Sequence, residues 1–109
     1  MSKYHNRKTY VGEIQFDSNH EAKRYVELSL MERAGEIRDL KLQVPFELIP
    51  EMRDEKNRVI RKTVYIADFT YYDRDGNFIV EDAKGVRTEA YRIKKKLMYW
   101  RHKIKIREV

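Results

Sequence analysis

Three consecutive stretches decide how this chain folds: Ile66-Ala67-Asp68-Phe69-Thr70-Tyr71-Tyr72, the segment Asp73-Arg74-Asp75-Gly76, and Asn77-Phe78-Ile79-Val80-Glu81-Asp82-Ala83-Lys84-Gly85. β-Branched and aromatic residues fill both flanks, and the Asp/Gly-rich segment between them marks a turn, so a hairpin is expected. A three-residue loop, Arg74-Asp75-Gly76, suits a type I turn followed by a left-handed glycine in a bulge. That register pairs Asp73 with Asn77 and sets Asp68 opposite Asp82, and directly opposed residues point to one face. A two-residue loop would instead oppose Asp68 to Glu81, but glycine at the third loop position favours the first register. On the second arm Phe78, Val80, Asp82 and Lys84 share a face, with Asp82 and Lys84 about 7 Å apart at Cα.

Working outward, the strand before the turn is expected over about 60–72 and the one after it over 77–84. Upstream, Leu40, Leu42, Val44, Phe46 and Leu48 alternate at period 2, the pattern of a strand with one buried face. Residues 50–58 form a charged connection. Before these, Ser18 is a good N-cap with Glu21 at capping-box spacing, and the helix it opens should reach about Ala34 and stop at Gly35. Ala22, Tyr25, Val26, Leu30 and Ala34 give that helix an apolar flank. Downstream, Thr88 can cap a second helix with Ala90, Ile93 and Leu97 on one side. Ile104 and Ile106 then alternate with Lys103, Lys105 and Arg107, the pattern of a protected edge strand. The order is helix, three strands, helix, strand, an α/β arrangement. Residues 1–12 read as a basic N-terminal arm of low local order, and 13–109 as a single domain.

Composition narrows the possibilities. The absence of cysteine excludes a disulfide scaffold, a thiolate metal site and a cysteine nucleophile. His5, His20 and His102 lack the spacing of a zinc motif. No apolar run is long enough to span a membrane or act as a secretory signal, so a cytoplasmic protein is expected (the bacterial host cytoplasm, if phage-encoded). Charge is uneven. Residues 1–8 carry three basic groups and no acid, 9–83 carry 11 basic against 16 acidic groups, and 84–109 carry 10 basic against 2 acidic. Basic ends around an acidic middle fit a polyanionic partner, although a solvated surface has the same composition.

The hairpin carries the chemistry. Asp68, Asp82 and Lys84 converge among apolar residues, and opposed carboxylates are destabilising without compensation. A hard divalent cation such as Mg²⁺ compensates them through oxygen ligands, and Lys84 beside it can stabilise an oxyanion or position a water. Metal-activated water attacking a phosphodiester is the reaction these groups fit. The competing reading is a buried ion-pair cluster neutralised by Lys84, which leaves acid charge over.

Asp68 followed by Asp82-Ala83-Lys84 at the end of the next strand resembles the PD-(D/E)XK nuclease signature, with Ala67 where the signature's name has proline. Glu21, within Phe16-Asp17-Ser18-Asn19-His20-Glu21-Ala22, is similar to the first-helix glutamate of many members. Lys3-Tyr4-His5-Asn6-Arg7-Lys8-Thr9, Glu21-Ala22-Lys23-Arg24-Tyr25, Ala67-Asp68-Phe69 and Glu81 to Gly85 extend the likeness to small phage-encoded endonucleases related to Holliday-junction resolvases. The resemblance implies a restriction-endonuclease-like core of αβββαβ order, a central mixed sheet flanked by helices. It implies a DNA endonuclease using Mg²⁺, with Mn²⁺ as a substitute, acting on branched DNA such as four-way junctions. Asp68 and Asp82 would bind the metal with the Ala83 carbonyl, Glu21 would hold a water ligand or second metal, and Lys84 would orient the nucleophile.

Other readings stand beside these roles. Glu21 also serves as capping-box partner of Ser18. Glu81 faces away and becomes a ligand only if a bulge shifts the register. Lys3, Arg7, Lys8, Arg87, Arg92, Lys94 and Lys95 are the expected nucleic-acid contacts, against a solvated face. Tyr71, Tyr72, Tyr91 and Trp100 read as core or interface. Symmetric cutting of two strands calls for a homodimer. The alternatives are a nicking or RNA-directed nuclease of the same fold, or a non-catalytic nucleic-acid-binding module.

Overall fold

The computed structural model describes residues 8–83 and 87–109. Most of the expected arm, with Lys3 and Arg7, and the segment containing Lys84 lie outside the described residues. The first described elements are β1 (Thr9–Val11) and β2 (Ile14–Phe16), which pair antiparallel around Gly12. Gly12 has φ +59°, the sign a two-residue hairpin turn requires and glycine adopts without steric cost. The end of the expected arm is therefore structured, because Thr9 and Val11 on one strand meet Phe16 and Ile14 on the other.

α1 (Asn19–Arg33) begins where its cap sequence places it: the Ser18 side chain accepts from the Glu21 N–H at 3.1 Å. It ends at Ala34, with Gly35 at φ +77°. Its buried side runs through Glu21, Ala22 and Leu28, with Tyr25 and Met31 packed beside them. Val26 and Leu30, expected on the apolar flank, are instead 42% and 59% exposed. The helix packs through a stripe of 22, 25 and 28, and residues 26 and 30 lie outside it.

β3 (Arg38–Ile49) follows, then a small antiparallel pair, β4 (Met52–Arg53) and β5 (Val59–Ile60), inside the charged connection. Asp54 folds that connection, accepting from the Lys56 and Arg58 N–H groups and from the Arg58 guanidinium. β6 (Thr63–Tyr72) and β7 (Phe78–Asp82) form the central hairpin. α2 (Glu89–His102) is capped by Thr88, which accepts from the Tyr91 N–H at 3.1 Å, and closes on left-handed Lys103. β8 (Arg107–Glu108) completes a four-stranded sheet ordered β3-β6-β7-β8, antiparallel except for the parallel β7–β8 pair. The fold is mixed α/β, with a central mixed sheet and two helices.

The hairpin register is Phe69↔Glu81, Thr70↔Val80, Tyr71↔Ile79 and Tyr72↔Phe78, and its continuation sets Asp68 against Asp82. Gly76 has φ +82°, its N–H bonds to the Asp73 carbonyl, and the Asp73 N–H bonds to the Asn77 carbonyl. The left-handed glycine ends a three-residue loop.

The helices cover opposite faces. On β7, Ile79 packs in the cluster with α1 residues while its neighbour Val80 packs with Tyr91 and Met98 of α2, and successive strand residues face opposite ways. β6 departs from that alternation. Tyr65 and Ala67 belong to the α2-side cluster, whereas Phe69 and Tyr71 belong to the α1-side one. The same change occurs on β3, where Leu40 and Leu42 pack toward α1 but Phe46 and Leu48 toward α2. Register is unchanged from Leu42↔Phe69 to Val44↔Ala67. Both strands thus switch faces at the rung between those pairs, formed by Gln43 and Asp68, and Gln43 has φ +53°.

Candidate functional site

The switched rung faces the start of α1. The Gln43 Nε2 donates to Glu21 Oε1 at 2.9 Å and to Asp68 Oδ1 at 3.3 Å. Asp68 Oδ2 accepts from the Ala83 backbone N–H at 2.9 Å, which ties the carboxylate to the end of β7. Glu21 is 8% exposed and Asp68 half-buried. Leu42 and Gln43 both line an open cavity of about 340 Å³ beside Glu21, together with Phe16 and Asp17. Two consecutive residues of one strand reach one cavity because the left-handed backbone at Gln43 breaks the alternation.

Asp82 is 1% exposed and accepts from the Tyr65 hydroxyl at 2.6 Å. Tyr65 packs toward α2, its ring 6.4 Å from that of Tyr91. Burial, and then the hydrogen bond to Asp82, push the Tyr65 hydroxyl well above the ordinary phenol range. Glu21 and Asp68 are therefore brought together through Gln43, and Asp82 is turned toward Tyr65 and the α2 layer. Among the described residues no group of three or more Asp, Glu, His or Cys side chains is placed to hold a metal ion.

Glu81 belongs to a different network. It is fully buried on the α1 side, where Arg24 donates to both its oxygens, at 2.8 and 2.7 Å. The Tyr71 hydroxyl also donates to it, and Arg107 donates to that hydroxyl at 3.2 Å. The hydrogen bond to Glu81 raises the Arg24 pKa above its usual value, against the pull of burial. Burial and the bond to Glu81 push the Tyr71 hydroxyl up to about 12.

The basic residues divide into two kinds. Arg87 and Lys95 both pair with Glu108, at 3.0 and 3.1 Å. Lys8 and Arg92 are exposed, and Lys94 is half-buried beside Tyr65, Ile66, Thr88 and Tyr91. Of the aromatics, Tyr71 and Tyr91 are buried, and Tyr72 packs on Phe78 with the Arg38 guanidinium 4.7 Å above its ring. Trp100 and Ile93 of α2 are 70% and 52% exposed. The buried side of α2 carries Tyr91 and Met98, and at 3.6 residues per turn Trp100 lies well round the helix from Met98. His20 bonds the Val109 carbonyl at 2.8 Å, fastening the final residues to the start of α1.

Gln43, Tyr65 and Arg24 are the residues that sequence reasoning missed. Gln43 is a polar residue at an outward position of an alternating strand, where solvent exposure is the ordinary reading. Arg24 lies one turn from Glu21, and only the packing of α1 on the sheet brings it to Glu81.

No curated protein and no solved structure matches the chain. A family model described as "Protein of unknown function (DUF1064)" matches residues 1–108, and the chain belongs to that family.

Proposed function

We propose that this protein is a divalent-metal-dependent endonuclease that hydrolyses phosphodiester bonds, with branched DNA as the substrate the sequence resemblance implies and a restriction-endonuclease-like core beneath it. The observation that carries the reading is the meeting of Glu21 and Asp68, from two different elements, on one amide nitrogen. The positive end of an amide dipole stands between two hard oxygen donors, and that donor chemistry suits Mg²⁺ or Mn²⁺. Glu21 and Asp68 are the residues to hold the cation, with Asp82 and the Ala83 carbonyl as the further oxygen donors carried by the motif. When bound, the cation supplies positive charge for the phosphate oxygens and lowers the pKa of water.

The chain's own residues do the rest. The Ala83 N–H fixes one oxygen of Asp68, leaving the carboxylate oriented at the strand end. The Tyr65 hydroxyl holds Asp82 in the same way. Lys84, assigned from the motif, steadies the nucleophile as a point charge. Water adds to phosphorus, one P–O ester bond breaks, and the departing oxygen takes a proton.

The test is a Mg²⁺ assay of the purified protein on four-way junction, nicked, single-stranded and linear duplex DNA side by side, with an RNA arm. Asp68→Asn and Asp82→Asn should each abolish cleavage while binding persists, and EDTA should stop cleavage by the unaltered protein. DNA binding with no cleavage of any substrate would leave the non-catalytic binding module in its place.

A further inference from the structure

We propose that Gln43 is a built-in placeholder for the cation: its amide nitrogen occupies the position between Glu21 and Asp68, and an ion must displace it to bind. The proposal rests on the metal-site reading above and deepens it by naming what sets the ion's affinity.

Both partners of the amide nitrogen are carboxylate oxygens, at 2.9 and 3.3 Å. Two acceptors of that kind settle which end of the amide faces them, since the carbonyl end would repel both. Its two N–H groups carry partial positive charge into the place a cation takes, so the acids are held together without an ion. The backbone supports a dedicated role. A non-glycine residue at φ +53° in the middle of a twelve-residue strand is sterically unfavourable. Such a conformation persists where surrounding structure over-determines it, and such sites concentrate at ligand clamps. Here it turns the side chain of Gln43 into the cavity shared with Leu42 and Glu21. With regular alternation, Gln43 would face away from Leu42 and from the cavity that Glu21 lines.

The consequence is competition. A protein whose acids are already bridged binds an ion with its intrinsic affinity reduced by the fraction of molecules in which the amide has moved aside. Gln43 is on this account a positioning residue, holding Glu21 and Asp68 at the right separation while limiting unproductive ion binding.

The experiment measures Mg²⁺ and Mn²⁺ binding by calorimetry, and the cation-induced rise in melting temperature, for EDTA-stripped full-length protein and for Gln43→Ala. The variant should melt lower than wild type without metal, bind the ion about three- to tenfold more tightly, and gain more in melting temperature on binding. Unchanged or weaker ion binding would overturn the placeholder role. Gln43→Gly removes the amide and also relieves the left-handed backbone. It should show the same gain in ion affinity, and it carries the test if the alanine variant does not fold. Cleavage by wild type with no affinity gain in either variant overturns the placeholder alone. An affinity gain with no cleavage by wild type overturns the nuclease reading alone, and no ion binding by any form overturns both.

Discussion

Arg24 on the first helix and Glu81 on the central hairpin are joined by two parallel hydrogen bonds, and the carboxylate they hold is fully buried. The pair fastens α1 to the sheet one helical turn from Glu21, so it fixes the approach of that residue to Gln43 and Asp68.

Breaking this pair from one side leaves a charge in the interior. Arg24→Leu should destabilise the protein by about 3–5 kcal/mol, because removal of one partner strands the other. Arg24→Leu combined with Glu81→Leu should recover most of that loss, since apolar replacements of a buried pair are often near neutral. Urea unfolding of the two single variants and the double variant checks the cycle.

Alkaline pH should loosen the same region. The folded-state pKa of Tyr71 lies at about 12, above its ordinary 10.0. Between those values the unfolded chain has lost the phenol proton and the folded chain retains it. The contribution of Tyr71 is therefore complete below pH about 10 and is lost as pH climbs toward about 12. Tyr65 and Tyr91 are shifted in the same direction by burial. Unfolding followed by tyrosinate absorbance should show ionisation and loss of structure together, and Tyr71→Phe should flatten the decline in stability.

The Tyr65 hydroxyl is placed to matter for activity through Asp82. Tyr65→Phe removes the donor at 2.6 Å from a buried carboxylate, at a cost of about 1–3 kcal/mol. Cleavage should fall about tenfold, equivalent to roughly 1.4 kcal/mol in the barrier, with DNA affinity unchanged. An unaltered rate would show that Asp82 needs no such orientation.

Glu108 restrains two of the expected DNA contacts, Arg87 and Lys95. Glu108→Gln should release both cations, tighten DNA binding and steepen its dependence on salt by about one unit of slope per phosphate newly contacted. Arg92→Glu should act in the opposite sense. Filter binding across a salt series measures both. If the two variants leave the slope untouched, the first half of α2 and the residue before its cap do not touch DNA.

The turn of the central hairpin offers a test of register. Gly76 holds φ +82°, a conformation costing an L-residue about 1–2 kcal/mol. Gly76→Ala should lower stability by about that amount in thermal unfolding, and an unchanged melting temperature would show that the loop relaxes to another turn.

Local chemistry made part of this protein legible in its sequence. Ser18 and Thr88 placed the helix starts, Gly35 a helix end, and Gly76 the hairpin register, because each acts through a backbone group only a few residues away. The period-2 run from Leu40 to Leu48 announced a strand, but it could not announce that the strand changes faces at Gln43 while its pairing continues. Burial decided the rest. Val26 and Leu30 became exposed and Glu81 was interred against Arg24 according to how α1 seats on the sheet. Glu21 and Asp68 met on Gln43, whose left-handed backbone lies within β3, and Asp82 met Tyr65 across the central hairpin. Sequence alone determined the caps, the turn and the acids, whose signals are short-range. The direction of each carboxylate was settled by tertiary structure, since it depends on packing between residues distant along the chain.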